Sequence, residues 1–192
     1  MAPRRELLLL RHGLAEERQP ELDDAQRRLT AEGLQRTRGV LERLTELDLV
    51  CDLVLSSPLV RARQTAELAL SAGLATELDL AAGLAPLADP LPLLERWLGP
   101  LAPRPGWRRL ALVGHEPDLS TLAALLIGVP MAQAPEALQL KKAGVALLQV
   151  PAVLPAAGLL GAARLGLLLP PRLLLGPRRS PGPRSLNSPS GH

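Results

Sequence analysis

Short apolar runs recur along this chain, and between them the apolar positions fall at helical spacing. The run "ELLLL" (6–10) is apolar on both faces, the pattern of a fully buried parallel strand. Residues 14–29 are charged and contain Pro20, so they read as a surface loop. Thr30 then stands as an N-cap before "AEGLQRTRGVLERL", where Leu34, Val40, Leu41 and Leu44 repeat at helical intervals. A second strand is predicted within "LVCDLVLSS" (49–57), with Pro58 at the first position of a helix that Gly73 ends. The proline-rich segment 79–107 gives a pattern only around 92–98, where a helix is expected. A strand near 109–113, a helix from Asp118 to Ile127 and a strand over 143–150 complete the rhythm. Alternating strands and helices predict an α/β fold, a three-layer sandwich with a mostly parallel central sheet.

Composition narrows the picture. At 192 residues the chain is one domain, or one domain with a tail, and it is long enough to bury a core unaided. It has no Phe or Tyr, so the core must be leucine, valine and alanine. With Trp97 and Trp107 as its only aromatics, base stacking has almost no material. Nucleic acid is therefore disfavoured as a partner, although the net charge is +3. Several arginines (Arg172, Arg178, Arg179, Arg184) cluster near the end, and a basic tail accounts for the charge. The residues from Pro177 onward are rich in Pro, Ser and Gly and are expected to be disordered.

Arg11 cuts the first leucine run too short for an export signal, and Arg164 with Pro170–Pro171 interrupts the apolar stretch 153–175. No membrane association is expected. The lone Cys51 excludes an internal disulfide and suits a reducing compartment, so a cytoplasmic location is expected.

Polar residues supply the chemical signal. His12 follows the first strand, Ser56 and Ser57 follow the second with Arg61 just beyond, and His115 follows the strand "LALVG". Ligands of parallel sheets bind at the carboxyl ends of strands, so these segments converge on one edge. Two arginines match phosphate oxygens with planar, permanently charged forks. One histidine can act as a nucleophile while another contacts the same phosphoryl group. Gly13 would let the backbone approach the ligand closely. Two histidines without a clustered carboxylate or cysteine make a poor metal site.

These residues resemble the histidine phosphatase (phosphoglycerate mutase-like) superfamily. "LLRHG" (9–13) is similar to its opening motif, "SSPLVRARQTA" (56–66) to its second element, and "LVGHEPDLS" (112–120) to its late histidine segment. "RRLTAEG" (27–33), "LKKAGVALLQ" (140–149) and "LLLPPRLL" (167–174) resemble the small SixA-type phosphohistidine phosphatases. The resemblance implies a phosphatase domain over 1–175, followed by the tail 176–192. It implies His12 as nucleophile through a phosphohistidine intermediate, with Arg11, Arg61 and His115 holding the phosphoryl oxygens, beside the phosphate-binding Gly13 expected from the residues. It implies no metal or organic cofactor. The substrate would be phosphohistidine in a protein or a small phosphate compound.

Two departures bear on mechanism. Larger relatives supply a carboxyl acid from mid-chain, where only Asp89 and Glu95 are candidates by position. Lack of an acid would suit a phosphoramidate, whose imidazole leaving group needs little protonation help. It also motivates an alternative, a non-catalytic phosphate-binding module of the same fold. Sugar-phosphate relatives commonly carry an asparagine a few residues past the glycine, where this chain has "LAEE", and this too points away from a mutase.

Overall fold

The computed structural model describes residues 4–21 and 23–176. The tail expected from residue 176 onward lies outside the described residues but for Gly176. A six-stranded sheet forms the middle layer. Its strands are β1 (Arg4–Arg11), β2 (Leu53–Ser56), β3 (Leu78–Leu80), β4 (Arg109–Gly114), β5 (Val145–Pro151) and β6 (Arg164–Leu169), in spatial order β3-β2-β4-β1-β5-β6. The first four run parallel, while β5 is antiparallel to β1 and β6 antiparallel to β5. The expected three-layer, mostly parallel sandwich is what the chain forms.

The first leucine run explains itself once β1 is seen between β4 and β5. Leu7 and Leu9 enter the core on one face, Leu8 and Leu10 the core on the other, and all four are fully buried. Each such side chain contributes about 1.5–3 kcal/mol by leaving water. Helices α1 (Ala31–Glu46) and α2 (Val60–Ser71) cover the face of Leu8 and Leu10. Helices α3 (Leu91–Leu98) and α4 (Asp118–Leu126) cover the other, where Trp97 and Trp107 are also buried. The short α5 (Ala134–Ala137) packs on α4, and α6 (Pro171–Leu175) packs on α1.

Local chemistry sets the ends of these elements. Thr30 Oγ1 accepts the Gly33 N–H at 2.9 Å, the N-cap that the sequence predicts. Gly33 is required by closeness, because a Cβ there would lie 1.9 Å from the Leu14 carbonyl oxygen. Gly73 ends α2 with φ +75°. Pro58, however, is not the first residue of α2, which begins at Val60. Ser57 Oγ accepts the Leu59 N–H at 3.4 Å, and this turn delays the helix by two residues.

Two strands were not predicted. β3 has three residues, too few for a periodicity to register. β6 lies in the apolar stretch 153–175, where leucines on an exposed sheet edge give no alternation. Among the described residues, no helix is long and apolar enough to cross a membrane.

Candidate active site

The carboxyl ends of β1, β2 and β4 lie side by side, so the residues that follow them meet. The His12 N–H donates to the Gly114 carbonyl at 3.1 Å, and the Ser57 N–H donates to the Val113 carbonyl at 2.9 Å. Sequence order therefore becomes spatial adjacency: the rings of His12 and His115 have centroids 5.1 Å apart, inclined at 54°. A cavity of about 330 Å³ opens there, lined by Arg11, His12, Arg61 and His115. Asp24 and Glu116 line it as well.

His12 is 7 % exposed and is held at both nitrogens. Its Nδ1 lies 2.8 Å from the Gly13 carbonyl oxygen, which can only accept. Nδ1 therefore carries the proton, and Nε2 carries the lone pair, which accepts Arg61 Nε–H at 3.3 Å. Burial, above all, lowers the His12 pKa to about 3. The Gly13 bond opposes the shift, and His115, Arg61 and Arg11 add to it. A neutral imidazole with an available Nε2 lone pair is the resting state.

His115 is 3 % exposed, and its Nε2 lies 2.8 Å from Ser57 Oγ. That hydroxyl also accepts the Leu59 N–H, and in one arrangement it gives its own proton to His115 Nε2. This arrangement leaves the proton of neutral His115 on Nδ1, a buried atom with no partner. Burial foremost, then Arg61, lowers the His115 pKa to about 4.

Arg61 reaches the site from the first turn of α2 and is itself 3 % exposed. Its Nη1 donates to the Asp24 carbonyl at 2.7 Å and its Nη2 to Asp24 Oδ2 at 3.0 Å. Asp24 sits in a single 3₁₀ turn, Asp24–Gln26, and also pairs with Arg18 and Arg27. Burial works to raise its carboxyl, yet hydrogen bonds and charges from Arg18, Arg61 and Arg27 hold it at about 2. Arg11 Nη1 donates to the Leu140 carbonyl at 2.8 Å, which leaves its Nε buried without a partner.

Gly13 does not line the cavity. Its N–H donates to Thr65 Oγ1 at 3.1 Å, and its carbonyl oxygen holds the His12 imidazole at Nδ1. Its lack of a side chain answers to packing, since a Cβ would stand 2.2 Å from Thr37 Oγ1. Asp89 and Glu95 stand outside the cavity. Asp89 Oδ1 accepts the Leu91 N–H at 3.0 Å, and Glu95 is exposed on α3.

The carboxyl group that sequence reasoning missed is Glu116, adjacent to His115. Its Oε2 accepts the Ser120 hydroxyl at 2.6 Å, while its Oε1 is buried and unpartnered. Burial raises its pKa, opposed by the Ser120 hydrogen bond and by Arg11. The signal was present as "GHEPDLS", with a carboxylate one residue past a strand-end histidine and a serine four residues later. Among the described residues, no group of three or more His, Cys, Asp or Glu could hold a metal ion. Cys51 is buried far from this chemistry, its thiol pushed up to about 12, chiefly by burial.

Known proteins share this arrangement of chain. The sequence profile of the histidine phosphatase superfamily (branch 1) matches residues 7–85. An uncharacterized protein of Picosynechococcus sp. (strain ATCC 27264 / PCC 7002 / PR-6) is 42% identical over 143 residues, covering 73% of this chain and 82% of that one. The protein histidine phosphatase SixA complexed with tungstate superposes with a TM-score of 0.70 at 22% identity, covering 88% of this chain and 99% of that chain. A mycobacterial glucosyl-3-phosphoglycerate phosphatase superposes with a TM-score of 0.65 at 19% identity, covering 84% and 97%. At these identities the two solved structures establish the fold.

Proposed function

The chain belongs to the histidine phosphatase superfamily, and on that premise we propose that it hydrolyses phosphorylated substrates through a covalent intermediate on Nε2 of His12. The substrate is phosphohistidine in a protein, as for SixA, or a small phosphate compound. The observation that carries this reading is the pinning of His12 Nδ1–H to the Gly13 carbonyl. It leaves a neutral, fixed imidazole whose Nε2 lone pair faces Arg61.

The step runs as follows in this site. Nε2 attacks phosphorus in line, the bond from phosphorus to the leaving oxygen or nitrogen breaks, and the leaving group takes a proton. Arg61 Nε–H, which rests on the Nε2 lone pair, turns to a phosphoryl oxygen as that lone pair is used. Arg11 Nε and His115 Nδ1–H, both buried and unpartnered, donate to the remaining oxygens. Water then attacks the phosphohistidine, the P–N bond breaks, and His12 returns neutral. Glu116, which lines the same cavity, gives the proton to the leaving group in the first half and takes it from water in the second. Its raised pKa favours the protonated form that the first half needs.

Glu116 also bears on the binding-module alternative, whose ground was the lack of a carboxyl acid. A carboxyl group lines the cavity, which supports the catalytic reading over that alternative. The test is intact-protein mass after rapid quenching with a phosphoramidate donor. A phosphoryl adduct that forms and decays in the wild type and is absent in His12→Ala is expected. An adduct of equal size and lifetime in His12→Ala would refute the mechanism.

A further inference from the structure

A second cavity adjoins the phosphoryl site. It measures about 660 Å³, and Arg11 and Lys142 line both, so the two share a wall. A volume of that order suits a small molecule, within the roughly 300–1,000 Å³ typical of ligand pockets. Its walls come from Leu14, Leu140, Leu168 and Pro170, contributed by three separate parts of the chain.

The charge at this cavity has one sign. Arg36, Lys141, Lys142 and Arg172 line it, and among the described residues no Asp or Glu does. Arg36 is paired with Glu32 at 3.2 Å, but no described carboxylate pairs with Lys142 or Arg172. Thr37 adds an independent mark. Its side chain is fully buried, lines the cavity, and its Oγ1 has no hydrogen-bond partner. Arg11 Nε, on the shared wall, is likewise unpartnered. Buried polar atoms without partners are uncommon, and Thr37 Oγ1, packed beside Gly13 in the wall of this cation-rimmed cavity, is one of them.

We propose that this cavity receives the leaving group of the substrate, and that the substrate is a small phosphorylated molecule whose leaving group is apolar and carries its own anion. The apolar walls bury the body of that group. Arg172, Lys141 and Lys142 meet its carboxylate or second phosphate, and the phosphoryl group lies beyond Arg11 against His12. The inference rests on the phosphatase reading given above and narrows its substrate class from protein to small molecule.

The experiment compares kcat/KM for phenyl phosphate, 4-carboxyphenyl phosphate, 4-(carboxymethyl)phenyl phosphate and a phosphohistidyl peptide, in the wild type and in Arg172→Glu. Arg172 is exposed, so reversing its charge does not threaten the core. The wild type is expected to prefer a carboxylated ester over phenyl phosphate by about tenfold at low salt, with the preference shrinking as ionic strength rises. In Arg172→Glu the ratio should fall to one or below. A wild-type ratio near one for both carboxylated esters, a preference untouched by Arg172→Glu, or faster turnover of the peptide than of any ester would each overturn the proposal. Phenyl phosphate turnover with a phosphoryl adduct on His12 keeps the phosphatase reading standing in those cases. Absence of that adduct with every donor would overturn both.

Discussion

Lowering the pH should weaken this fold through the two buried histidines of the candidate site, and the size of the effect follows from their burial. Unfolded, each would titrate near 6.5, whereas folded His12 titrates at about 3 and His115 at about 4. Between those values the unfolded chain binds protons that the folded chain refuses. Stability is therefore fully present above about pH 6.5 and is lost as pH falls toward the folded values. Each histidine contributes a slope of up to about 1.4 kcal/mol per pH unit, or about 2 kcal/mol between pH 7 and 5. Together they remove about 4 kcal/mol, a large part of the roughly 5–15 kcal/mol that a domain possesses. Glu116, with its raised pKa, works in the opposite direction, and Asp24 at about 2 acts only at lower pH. The assay is urea unfolding followed by the fluorescence of the buried Trp97 and Trp107, at pH 7 and pH 5. His12→Asn should lose about 2 kcal/mol less than the wild type over that interval. An identical loss in the two proteins would mean that His12 titrates normally in the fold, and the case for a buried neutral nucleophile would collapse.

Asp24→Asn should leave the fold standing, because Arg61 keeps its bond to the Asp24 main-chain carbonyl, but it removes the charge that orients the guanidinium. A charged hydrogen bond of this kind contributes about 1.5–3 kcal/mol, so kcat/KM should drop roughly 10- to 100-fold. Unchanged steady-state kinetics would show that Asp24 does not position Arg61. Glu116→Gln should slow hydrolysis of phosphate esters by a factor of about 10²–10⁴ while sparing phosphoramidates. It should also remove the alkaline limb of the pH–rate profile. Equal losses on both substrate classes would assign Glu116 a binding role instead of a proton-transfer one.

Most of the fold was legible because burial is written into sequence as period. The leucine run of β1, the capped repeat of α1 and the strand–turn–helix segments around Ser56 and His115 each declare one environment along their whole length. What escaped lacked such uniformity. β3 is shorter than any period, β6 is an exposed edge that reads like a broken span, and Pro58 mimics a helix start that the Ser57 turn postpones. In the site, Arg11, His12, Arg61 and His115 were legible because parallel strands deliver their exits to one edge. Asp24 and Glu116 were not. Asp24 arrives on a surface loop whose path no periodicity describes, and its partners lie 6, 3 and 37 residues away. Glu116 sat in plain view beside His115, but its role depends on Ser120 and Leu140 closing around it, which only tertiary packing reveals.

The same burial accounts for both the chemistry and the fragility of the site. A histidine on an open surface would be partly protonated near neutrality and a poor nucleophile, whereas His12 among Arg11, Arg61 and His115 stays a free base. That field of cations becomes favourable only when a phosphoryl dianion enters it. Arg61 meanwhile leans on Asp24 and on the His12 lone pair, and Arg11 Nε and His115 Nδ1 have no partner. The cations of the site oppose one another, and leucine packing on both faces of β1 helps hold them together. Phosphoryl binding should relieve that opposition more as negative charge gathers on the transferring oxygens. Preferential stabilisation of the developing charge, rather than of the bound substrate, is the condition for catalysis. The leucines around His12 thus have two consequences at once: they hold the strand that presents it, and they keep it in the neutral form that the proposed attack requires.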